Sequence, residues 1–337
     1  MRVLVCSSAA PVEQRPLRMV DMPIPEPASH QVVVRVLACG VCRTDLHVVE
    51  GDLPPKRPAI VPGHQIVGEV FDLGADVREL ARGDRVGVAW LHSTCGLCRY
   101  CVSDRENLCD GAEFTGWTVD GGFAEYVVAD AAFTYRLPET MSDLEAAPLL
   151  CAGIIGYRCL EQTGILQWRG VRLGIYGFGA AGHVALQIAR ARGAEVYVCT
   201  RDRLRHGALA EELGATWTGD ADERPPVLLD ASIIFAPAGE LVPPALSHLD
   251  RGGSLVLGGI HMTDIPSFPY ELIYGERSIR SVANNTRADG RQFLEEAAAI
   301  GVQTHVEAFP FSDAHEALIR LKTDGIRGAA VLLVGGS

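Results

Sequence analysis

The segment VRLGIYGFGAAGHVALQIARARGAEVYVCTRDRLRH, residues 171–206, indicates the architecture of the middle of this 337-residue chain. An apolar run at 173–176 predicts a strand, and apolar residues spaced four apart predict one buried face of a following helix. A second apolar run at 196–199 predicts the next strand. Between the first strand and the helix stand three glycines with the spacing G-x-G-x-x-G: Gly177, Gly179 and Gly182. The segment therefore predicts a strand–helix–strand unit with a glycine-rich first turn.

A glycine-rich turn of this kind suits a dinucleotide. Glycines let the backbone turn sharply and approach a pyrophosphate group, which the N-terminus of the helix then attracts. The motif alone is weak, because a glycine-rich turn can precede any helix, but it is more specific inside a strand–helix–strand unit. We therefore expect Gly177, Gly179 and Gly182 to bind the pyrophosphate of a dinucleotide.

The residues after the second strand bear on which dinucleotide binds. An acidic residue at this point binds the ribose 2′-hydroxyl of NAD, whereas an arginine can meet the 2′-phosphate of NADP. The chain has Thr200 near that position, followed by Arg201. We predict NADP(H) rather than NAD(H), with Thr200 and Arg201 as contacts. Two alternatives stay open: Asp202 could serve NAD if the register slips by two, or the segment could be a solvated helix start.

The composition favours two domains and argues against a nucleic-acid partner. The chain is 48% hydrophobic, enough for a sizeable core, and its length suggests two domains. Its formal net charge of −12 makes a bulk attraction to nucleic acid or to an anionic membrane unfavourable. The sequence has no secretory signal and no stretch that approaches a membrane span. We therefore expect a cytoplasmic protein that binds neither nucleic acid nor membrane.

Four of the ten cysteines lie within CGLCRYCVSDRENLC, residues 95–109. They have the spacing C-x2-C-x2-C-x7-C and are Cys95, Cys98, Cys101 and Cys109. Four thiolates form a closed structural zinc site, but an iron–sulfur cluster also takes four, and a disulfide pair or buried thiols are further options. The expected reducing compartment disfavours disulfides. Because a closed site has no open coordination position, this cluster predicts a scaffold, and the chemistry must lie elsewhere.

Three further stretches carry a second constellation of possible metal ligands. They are ACGVCRTDLHVVEGD (38–52), VPGHQIVGEV (61–70) and APLLCAGIIGYR (147–158), and they contain Cys42, His64 and Cys151. Two thiolates and an imidazole with a fourth position open are typical of a catalytic zinc site. Each residue is weak evidence on its own, since a lone cysteine beside glycine is more often a buried small residue.

Taken in order, these stretches and the four-cysteine segment resemble the zinc-containing medium-chain alcohol dehydrogenases over nearly the whole chain. The resemblance implies two zinc ions per chain. Cys42, His64 and Cys151 would bind a catalytic zinc, and Cys95, Cys98, Cys101 and Cys109 a structural zinc rather than an iron–sulfur cluster. Cys39 lies in the same motif as Cys42 but is not a ligand in the family. Cys6, Cys159 and Cys199 fall outside these motifs and are expected to be ordinary small apolar residues.

The resemblance also gives roles to neighbours of Cys42. Asp45 would hold a zinc ligand, His64, in the right tautomer. Thr44 would touch the substrate oxygen, and His47 would be the outer end of a proton relay through the cofactor ribose. Other readings are that Thr44 or Asp45 caps a helix, and that His47 is a solvent-facing helix residue. The chain departs from many relatives at Gln65, which replaces a glutamate near the zinc.

The family fold is α/β, with a β-rich GroES-like catalytic domain and an inserted doubly wound Rossmann domain. We place the catalytic domain with both zinc sites at 1–151 and 285–337, and the dinucleotide-binding domain at 152–284. The active site would lie in the cleft between the two domains. Arg327 resembles a family arginine near the cofactor phosphates, although it could equally be a surface residue at a strand start.

The implied reaction is hydride transfer between an alcohol and NAD(P), or reduction of the matching aldehyde. Leu53, Trp90 and Leu91 stand where relatives have substrate-facing residues, and they predict a medium-chain or aromatic primary alcohol, unless they are plain core. Rival readings are a catalytically silent binding homologue, a zinc-free quinone or enoyl reductase, and a polyol or amino-acid-alcohol dehydrogenase. By resemblance the protein is a homo-oligomer, a dimer or a tetramer.

Overall fold

The computed structural model describes residues 1–220 and 223–335. The described chain divides into two compact units. The first contains Met1–Cys151, Thr286–Glu295 and the described residues from Thr304 onward, and the second contains the described parts of Ala152–Asn285 and Glu296–Gln303. Residues 296–303, which the sequence prediction groups with the catalytic domain, therefore fall in the second unit. None of the helices in the described chain is long and apolar enough to cross a membrane.

The strands are numbered in chain order. They are β1 (Arg2–Cys6), β2 (Leu17–Asp21), β3 (Gln31–Val41), β4 (Gln65–Leu73), β5 (Arg85–Val88), β6 (Leu91–Ser93), β7 (Glu113–Phe114), β8 (Tyr126–Asp130), β9 (Thr134–Arg136), β10 (Arg172–Tyr176), β11 (Glu195–Cys199), β12 (Trp217–Gly219), β13 (Leu229–Ile234), β14 (Leu249–Leu257), β15 (Ser278–Ser281), β16 (Val306–Pro310) and β17 (Ala329–Leu333). The α-helices are α1 (Arg43–Glu50), α2 (Asp143–Pro148), α3 (Ile154–Gln162), α4 (Ala180–Ala191), α5 (Ala208–Glu212), α6 (Val242–Ser247), α7 (Arg287–Ile300) and α8 (Ala314–Lys322).

The first unit is built on a seven-stranded sheet. Six strands follow the order β16-β17-β3-β4-β5-β9, and β8 also pairs with β3. Strand β3 is the centre of this sheet: its valines at 32, 34 and 36 are buried and belong to the unit's apolar core. β-branched residues pack well on a pleated, half-buried surface, which explains why this valine run forms a strand. All the ladders of this sheet except β16–β17 are antiparallel.

This sheet places two candidate ligands at one end of adjacent strands. Strand β3 ends at Val41 and α1 begins at Arg43, so Cys42 occupies the junction. His64 immediately precedes β4, whose first residue pairs with Gly40 of β3. The antiparallel pairing therefore brings positions 42 and 64 together although they are far apart in sequence.

The second unit contains a six-stranded parallel sheet in the order β12-β11-β10-β13-β14-β15. Strand β10, helix α4 and strand β11 form the predicted strand–helix–strand unit. Val184, Ala185, Ile188 and Ala189 of α4 are fully buried, which fits the predicted apolar face. Parallel strands put their carboxyl ends at one edge, so the turns after β10, β11 and β15 share that edge.

Candidate active site

Cys42, His64 and Cys151 lie together in the first unit. Their potential ligand atoms all lie within 4.8 Å of one another, and His64 Nε2 is 3.3 Å from Cys42 Sγ. His64 is fully buried, while the two cysteines are half-buried. Cys151 reaches the site from a π-helical turn, Leu149–Gly153, that follows α2. Two thiols and one imidazole at these separations can hold one tetrahedral metal ion and leave a fourth position for another ligand.

The Asp45 carboxylate contacts both the His64 loop and the start of helix α1, where Cys42 lies. Its Oδ1 is 2.9 Å from His64 Nδ1 and also accepts a hydrogen bond from the Gly63 amide. Its Oδ2 accepts a hydrogen bond from the Cys42 amide. The carboxylate is buried, so these hydrogen bonds replace the water that it loses. The His64 contact selects the tautomer that leaves Nε2 as the metal-facing nitrogen.

The N-cap of α1 is Cys42, not Thr44 or Asp45. The Cys42 thiol accepts a hydrogen bond from the Thr44 amide at 3.3 Å, and Asp45 completes a capping box by accepting from the Cys42 amide. A cysteine is an unusual N-cap, because serine, threonine, aspartate and asparagine are preferred. Here capping therefore fixes the direction of a candidate metal ligand.

The buried thiols and imidazole share protons unequally. The hydrogen bond from Cys151 and the positive charge of His64 hold the pKa of Cys42 well below its ordinary value, although burial opposes this. The same hydrogen bond, together with burial, raises the pKa of Cys151. Burial alone would lower the pKa of His64, but the negative charges of Asp45 and Cys42 outweigh it and the pKa is raised. Cys42 is therefore the thiol of this cluster that ionises more readily.

An aromatic stack begins at His64. Trp90 meets the His64 ring edge-on at a centroid distance of 5.0 Å. Trp90 in turn stacks on Phe114 and Trp117, at centroid distances of 5.3 and 6.0 Å. The indole N–H of Trp117 donates to the Pro54 carbonyl at 3.1 Å, which fixes the outer ring. We call Trp90, Phe114 and Trp117 the aromatic wall.

Sequence reasoning found only one member of this wall. Phe114 and Trp117 stand in EFTGW, residues 113–117, directly after the four-cysteine segment, where their aromatic character was the one available signal. Of the other predicted pocket residues, Leu91 is buried in β6 and pairs with Phe114. Leu53 is half-buried and packs against the apolar core of the first unit.

His47, on α1, has a carboxylate partner that the sequence did not reveal. His47 Nδ1 lies 2.8 Å from Asp52 Oδ2, and the Asp52 side chain is 62% exposed. The two residues are five apart, separated by the Gly51 turn that ends the helix. The contact with Asp52 favours one orientation of the His47 ring in the last turn of α1. A histidine that only faced solvent would have no such constraint.

Gln65 is buried directly beside the strand that leads to Cys42. A methyl group added to Gly40 would lie 2.6 Å from Gln65 Oε1, so this glutamine fills the space over Gly40. A neutral amide is less costly to bury than a carboxylate. The exchange of glutamate for glutamine therefore leaves the local packing satisfied.

The four-cysteine segment forms a second cluster in the first unit. The sulfur atoms of Cys95, Cys98, Cys101 and Cys109 all lie within 4.8 Å of one another, with S–S distances of 3.5 to 3.9 Å for the closest pairs. These distances are far longer than the roughly 2.05 Å of a disulfide, and all ten cysteines carry free thiols.

Backbone amides and burial set the acidity of these thiols. Hydrogen bonds from the Leu97 and Cys98 amides lower the pKa of Cys95 to about 6, while burial raises the pKa of Cys109 to about 11. Cys6, Cys159 and Cys199 are buried, as expected for small apolar residues of the core, and Cys39 is buried as well.

The three glycines of the second unit play three different roles. Gly177 has a φ of +89°, which makes the sharp turn after β10. A methyl group on Gly179 would meet no atom within 4 Å, so the N-cap of α4 is open to a ligand. A methyl group on Gly182 would lie 2.9 Å from the Gly177 carbonyl oxygen, so glycine here permits close helix–strand packing. These are the features that a pyrophosphate site at a helix N-terminus requires.

The predicted ribose contacts follow β11. Thr200 is buried and its amide donates to the Gly219 carbonyl, while Arg201 is exposed. The Asp202 carbonyl accepts from the His206 and Gly207 amides, so Asp202 begins the next helical turn. Arg327 belongs to the first unit, is exposed, and donates its backbone amide to Glu307.

Two family models match the chain, one in each part. The model of the alcohol dehydrogenase GroES-like domain matches residues 28–139, and the zinc-binding dehydrogenase model matches residues 180–299. The chain is 51% identical to a probable alcohol dehydrogenase, AdhA, of Mycobacterium tuberculosis, over 96% of this chain and 94% of that protein. It is 36% identical to an alcohol dehydrogenase of Geobacillus stearothermophilus, over 97% and 99% of the two chains.

Solved structures of alcohol dehydrogenases have the same fold as this chain. A cinnamyl alcohol dehydrogenase from Sorghum bicolor superposes with a TM-score of 0.90 at 29% identity, covering 99% of this chain and 98% of that one. The chain therefore belongs to the zinc-containing medium-chain alcohol dehydrogenase family, as the sequence predicted. It is a zinc-dependent oxidoreductase that acts on alcohols or the corresponding carbonyl compounds. The predicted fold class, a GroES-like domain with an inserted Rossmann domain, is confirmed.

Proposed function

We propose that Cys42, His64 and Cys151 would hold the catalytic zinc of an enzyme whose substrate is a primary alcohol or its aldehyde. The observation that carries this assignment is the convergence of the three ligand atoms within 4.8 Å, with Asp45 holding the second nitrogen of His64. When bound, zinc supplies a Lewis acid that lowers the pKa of the alcohol hydroxyl. A bound nicotinamide dinucleotide would supply the hydride chemistry.

The chain's own residues then orient groups and move a proton. Thr44, in the first turn of α1, is placed next to the Cys42 ligand and would hydrogen-bond the substrate oxygen. His47, whose Nδ1 lies 2.8 Å from Asp52 Oδ2, would be the group that passes the substrate proton to solvent. Asp45 keeps His64 in the tautomer that binds metal. Each of these groups contributes by alignment, which is where much of the rate enhancement of such sites originates.

We infer that the four-cysteine cluster holds a second, structural zinc, which makes two zinc ions per chain. Four thiols within 4.8 Å leave no position for substrate, and the low pKa of Cys95 favours the thiolate that zinc requires. In this proposal the first unit is the catalytic domain with both zinc sites, and the second unit is the dinucleotide-binding domain.

We further propose NADP(H) as the preferred cofactor. The position after β11 is occupied by Thr200 instead of a carboxylate, and the exposed Arg201 follows it. A guanidinium can pair with the 2′-phosphate, which a carboxylate would repel. A 25%-identical structure from Sinorhizobium meliloti, with a TM-score of 0.85, is bound to NADP.

The aromatic wall supports the proposal of an aromatic alcohol as substrate. The aromatic wall offers a flat apolar surface that begins at the zinc ligand His64, and aromatic rings stack on such surfaces. A probable cinnamyl alcohol dehydrogenase of Nicotiana tabacum is 35% identical over 91% of this chain, and the Sorghum bicolor enzyme is named for the same substrate class. We therefore propose that cinnamyl or benzyl alcohols are better substrates than short aliphatic alcohols. We also propose that the protein is a homo-oligomer.

Metal analysis combined with turnover tests this function. Wild type should contain two zinc ions per chain and Cys42→Ser one, with loss of turnover. Benzaldehyde and cinnamaldehyde should be reduced with NADPH at a higher kcat/KM than acetaldehyde. One zinc per wild-type chain, unchanged by Cys42→Ser, would contradict the assignment of the catalytic metal. A preference for polyols would reject the aromatic substrate but leave the zinc assignment intact.

A further inference from the structure

A buried amide group without a partner lies just beyond the last strand of the parallel sheet. Among the described residues, Asn284 is the one side chain whose two polar atoms, Oδ1 and Nδ2, are both buried and both lack a hydrogen-bond partner. Buried polar groups are nearly always paired, because an unpaired donor or acceptor loses its hydrogen bonds to water without replacement. An amide that lacks both a donor and an acceptor partner points to a ligand that supplies both.

The backbone at this residue is also unusual. Asn284 has a φ of +63°, in the left-handed region that non-glycine residues seldom occupy. Asparagine tolerates this conformation better than most residues, but it still costs free energy. The segment is anchored just before it, because the Val282 amide donates to the Leu257 carbonyl of β14 at 2.9 Å. The backbone two residues before Asn284 is therefore held against β14.

The sheet order indicates which part of a dinucleotide would meet it. The glycine turn follows β10, and the candidate ribose contact Thr200 follows β11 on one side of it. Strands β13, β14 and β15 extend on the other side. In a doubly wound sheet each half serves one mononucleotide, so the β13–β15 half serves the nicotinamide end. Asn284 follows the last residue of β15 by three positions.

We propose that the side-chain amide of Asn284 recognises the carboxamide of the nicotinamide ring. A carboxamide offers one carbonyl acceptor and one N–H donor, which complement the Nδ2 donor and the Oδ1 acceptor of asparagine. The two hydrogen bonds would fix the rotation of the nicotinamide ring and thereby the face that exchanges hydride. This inference rests on the proposed dinucleotide site and adds a residue that positions the reactive ring.

A cofactor series can isolate this contact by equilibrium binding to the full-length, zinc-loaded protein. The ligands are NADPH, its reduced 3-acetylpyridine analogue, in which a methyl ketone replaces the carboxamide, and 2′-phospho-ADP-ribose, which has no nicotinamide. Asn284→Gly is the main variant, because glycine adopts the left-handed backbone without strain. Asn284→Asp keeps the size and an acceptor but removes the donor. Asn285→Ala, which removes a buried neighbouring amide that has its own interactions, is the matched control.

We expect the ratio of the two Kd values, analogue over NADPH, to fall about tenfold in Asn284→Gly and to stay unchanged in Asn285→Ala. Asn284→Asp should bind NADPH more weakly but retain preference for it, since a carboxylate still accepts from the carboxamide N–H. Binding of 2′-phospho-ADP-ribose should be the same in wild type and both Asn284 variants.

Two results would overturn the inference, and they differ from each other. If wild type and Asn284→Gly bind all three ligands normally with the same ratio, Asn284 does not recognise the carboxamide, although the dinucleotide site stands. If the wild type binds none of the three, and NADH binds no better, the proposed dinucleotide site itself fails.

Discussion

Replacing Asp45 by asparagine should weaken the catalytic zinc site without disturbing the four-cysteine site. The carboxylate accepts three hydrogen bonds, from His64 Nδ1 and from the amides of Gly63 and Cys42. An asparagine oxygen placed at the Oδ1 position can keep the first two. Its NH2 group would then face the Cys42 amide, donor against donor, so the capping box that directs the Cys42 thiol would be lost.

The size of the effect follows from these contacts. Losing one hydrogen bond to a buried charged group and leaving an amide unpaired costs about 2 kcal/mol. Removal of such an orienting partner typically weakens metal binding by about 10- to 100-fold. We therefore expect Asp45→Asn to raise the Kd of the zinc at Cys42, His64 and Cys151 by about that factor, with turnover falling in parallel when zinc is limiting.

Competition with a chromophoric chelator measures this affinity. Cys42→Ser, which should retain only the zinc of the four-cysteine cluster, separates the two sites. Asp52→Asn is the matched control, because Asp52 is an exposed carboxylate whose partner is His47 and not a proposed zinc ligand. If Asp45→Asn binds the catalytic zinc as tightly as wild type, the reasoning that the carboxylate holds His64 and Cys42 in place is refuted.

Three further predictions test other parts of the structure. Trp117→Ala should raise KM for cinnamyl alcohol by about tenfold and leave that for ethanol nearly unchanged, because it removes only the outer ring of the aromatic wall; equal effects on both substrates in steady-state kinetics would argue against a stacking role. Gly179→Ala should weaken NADPH binding in a fluorescence titration while leaving thermal unfolding unchanged. Gly182→Ala places a methyl group 2.9 Å from the Gly177 carbonyl oxygen and should destabilise the fold by about 1–3 kcal/mol. The same phenotype for both variants would contradict the separate roles of the two glycines. Burial alone would raise the pKa of Glu106, but hydrogen bonds from Arg287 outweigh burial and hold that pKa below its ordinary value. The ionised carboxylate therefore stabilises the fold above about pH 4.3, and this stabilisation is lost as the pH falls through the lowered pKa. Glu106→Gln should accordingly lower the free energy of unfolding in urea at pH 7 and flatten its decline in acid, and an unchanged pH profile would rule out a contribution from this carboxylate.

Local sequence is sufficient for features that depend on short spacings. The glycine motif spans only residues 177–182, and the four cysteines span only residues 95–109. In each case the short spacing in sequence already keeps the residues close together in space. The apolar face of α4 can also be predicted from the sequence, because the residues on one face of a helix recur every three to four positions. The net charge of −12 disfavours a polyanionic partner whatever the fold.

Features that depend on distant segments need either a family resemblance or the fold. Cys42, His64 and Cys151 are separated by up to about a hundred residues, and no local pattern joins them. The antiparallel pairing of β3 with β4 and the turn after α2 bring them within 4.8 Å. The sequence also suggests Thr44 or Asp45 as the helix cap, whereas the backbone at the end of β3 gives that place to Cys42.

The amino-acid sequence therefore indicates which kinds of site to expect: a glycine turn suited to phosphate, a closed set of four thiols and a second set of candidate metal ligands. Which side chains surround those sites depends on the packing of the folded chain. Phe114 and Trp117 extend Trp90 into an aromatic wall, Asp52 contacts His47, and the two polar atoms of the Asn284 amide are buried without a partner. The physical reason is that side-chain contacts depend on how strands and turns pack, and packing joins residues whose separation in sequence carries no information about their distance in space.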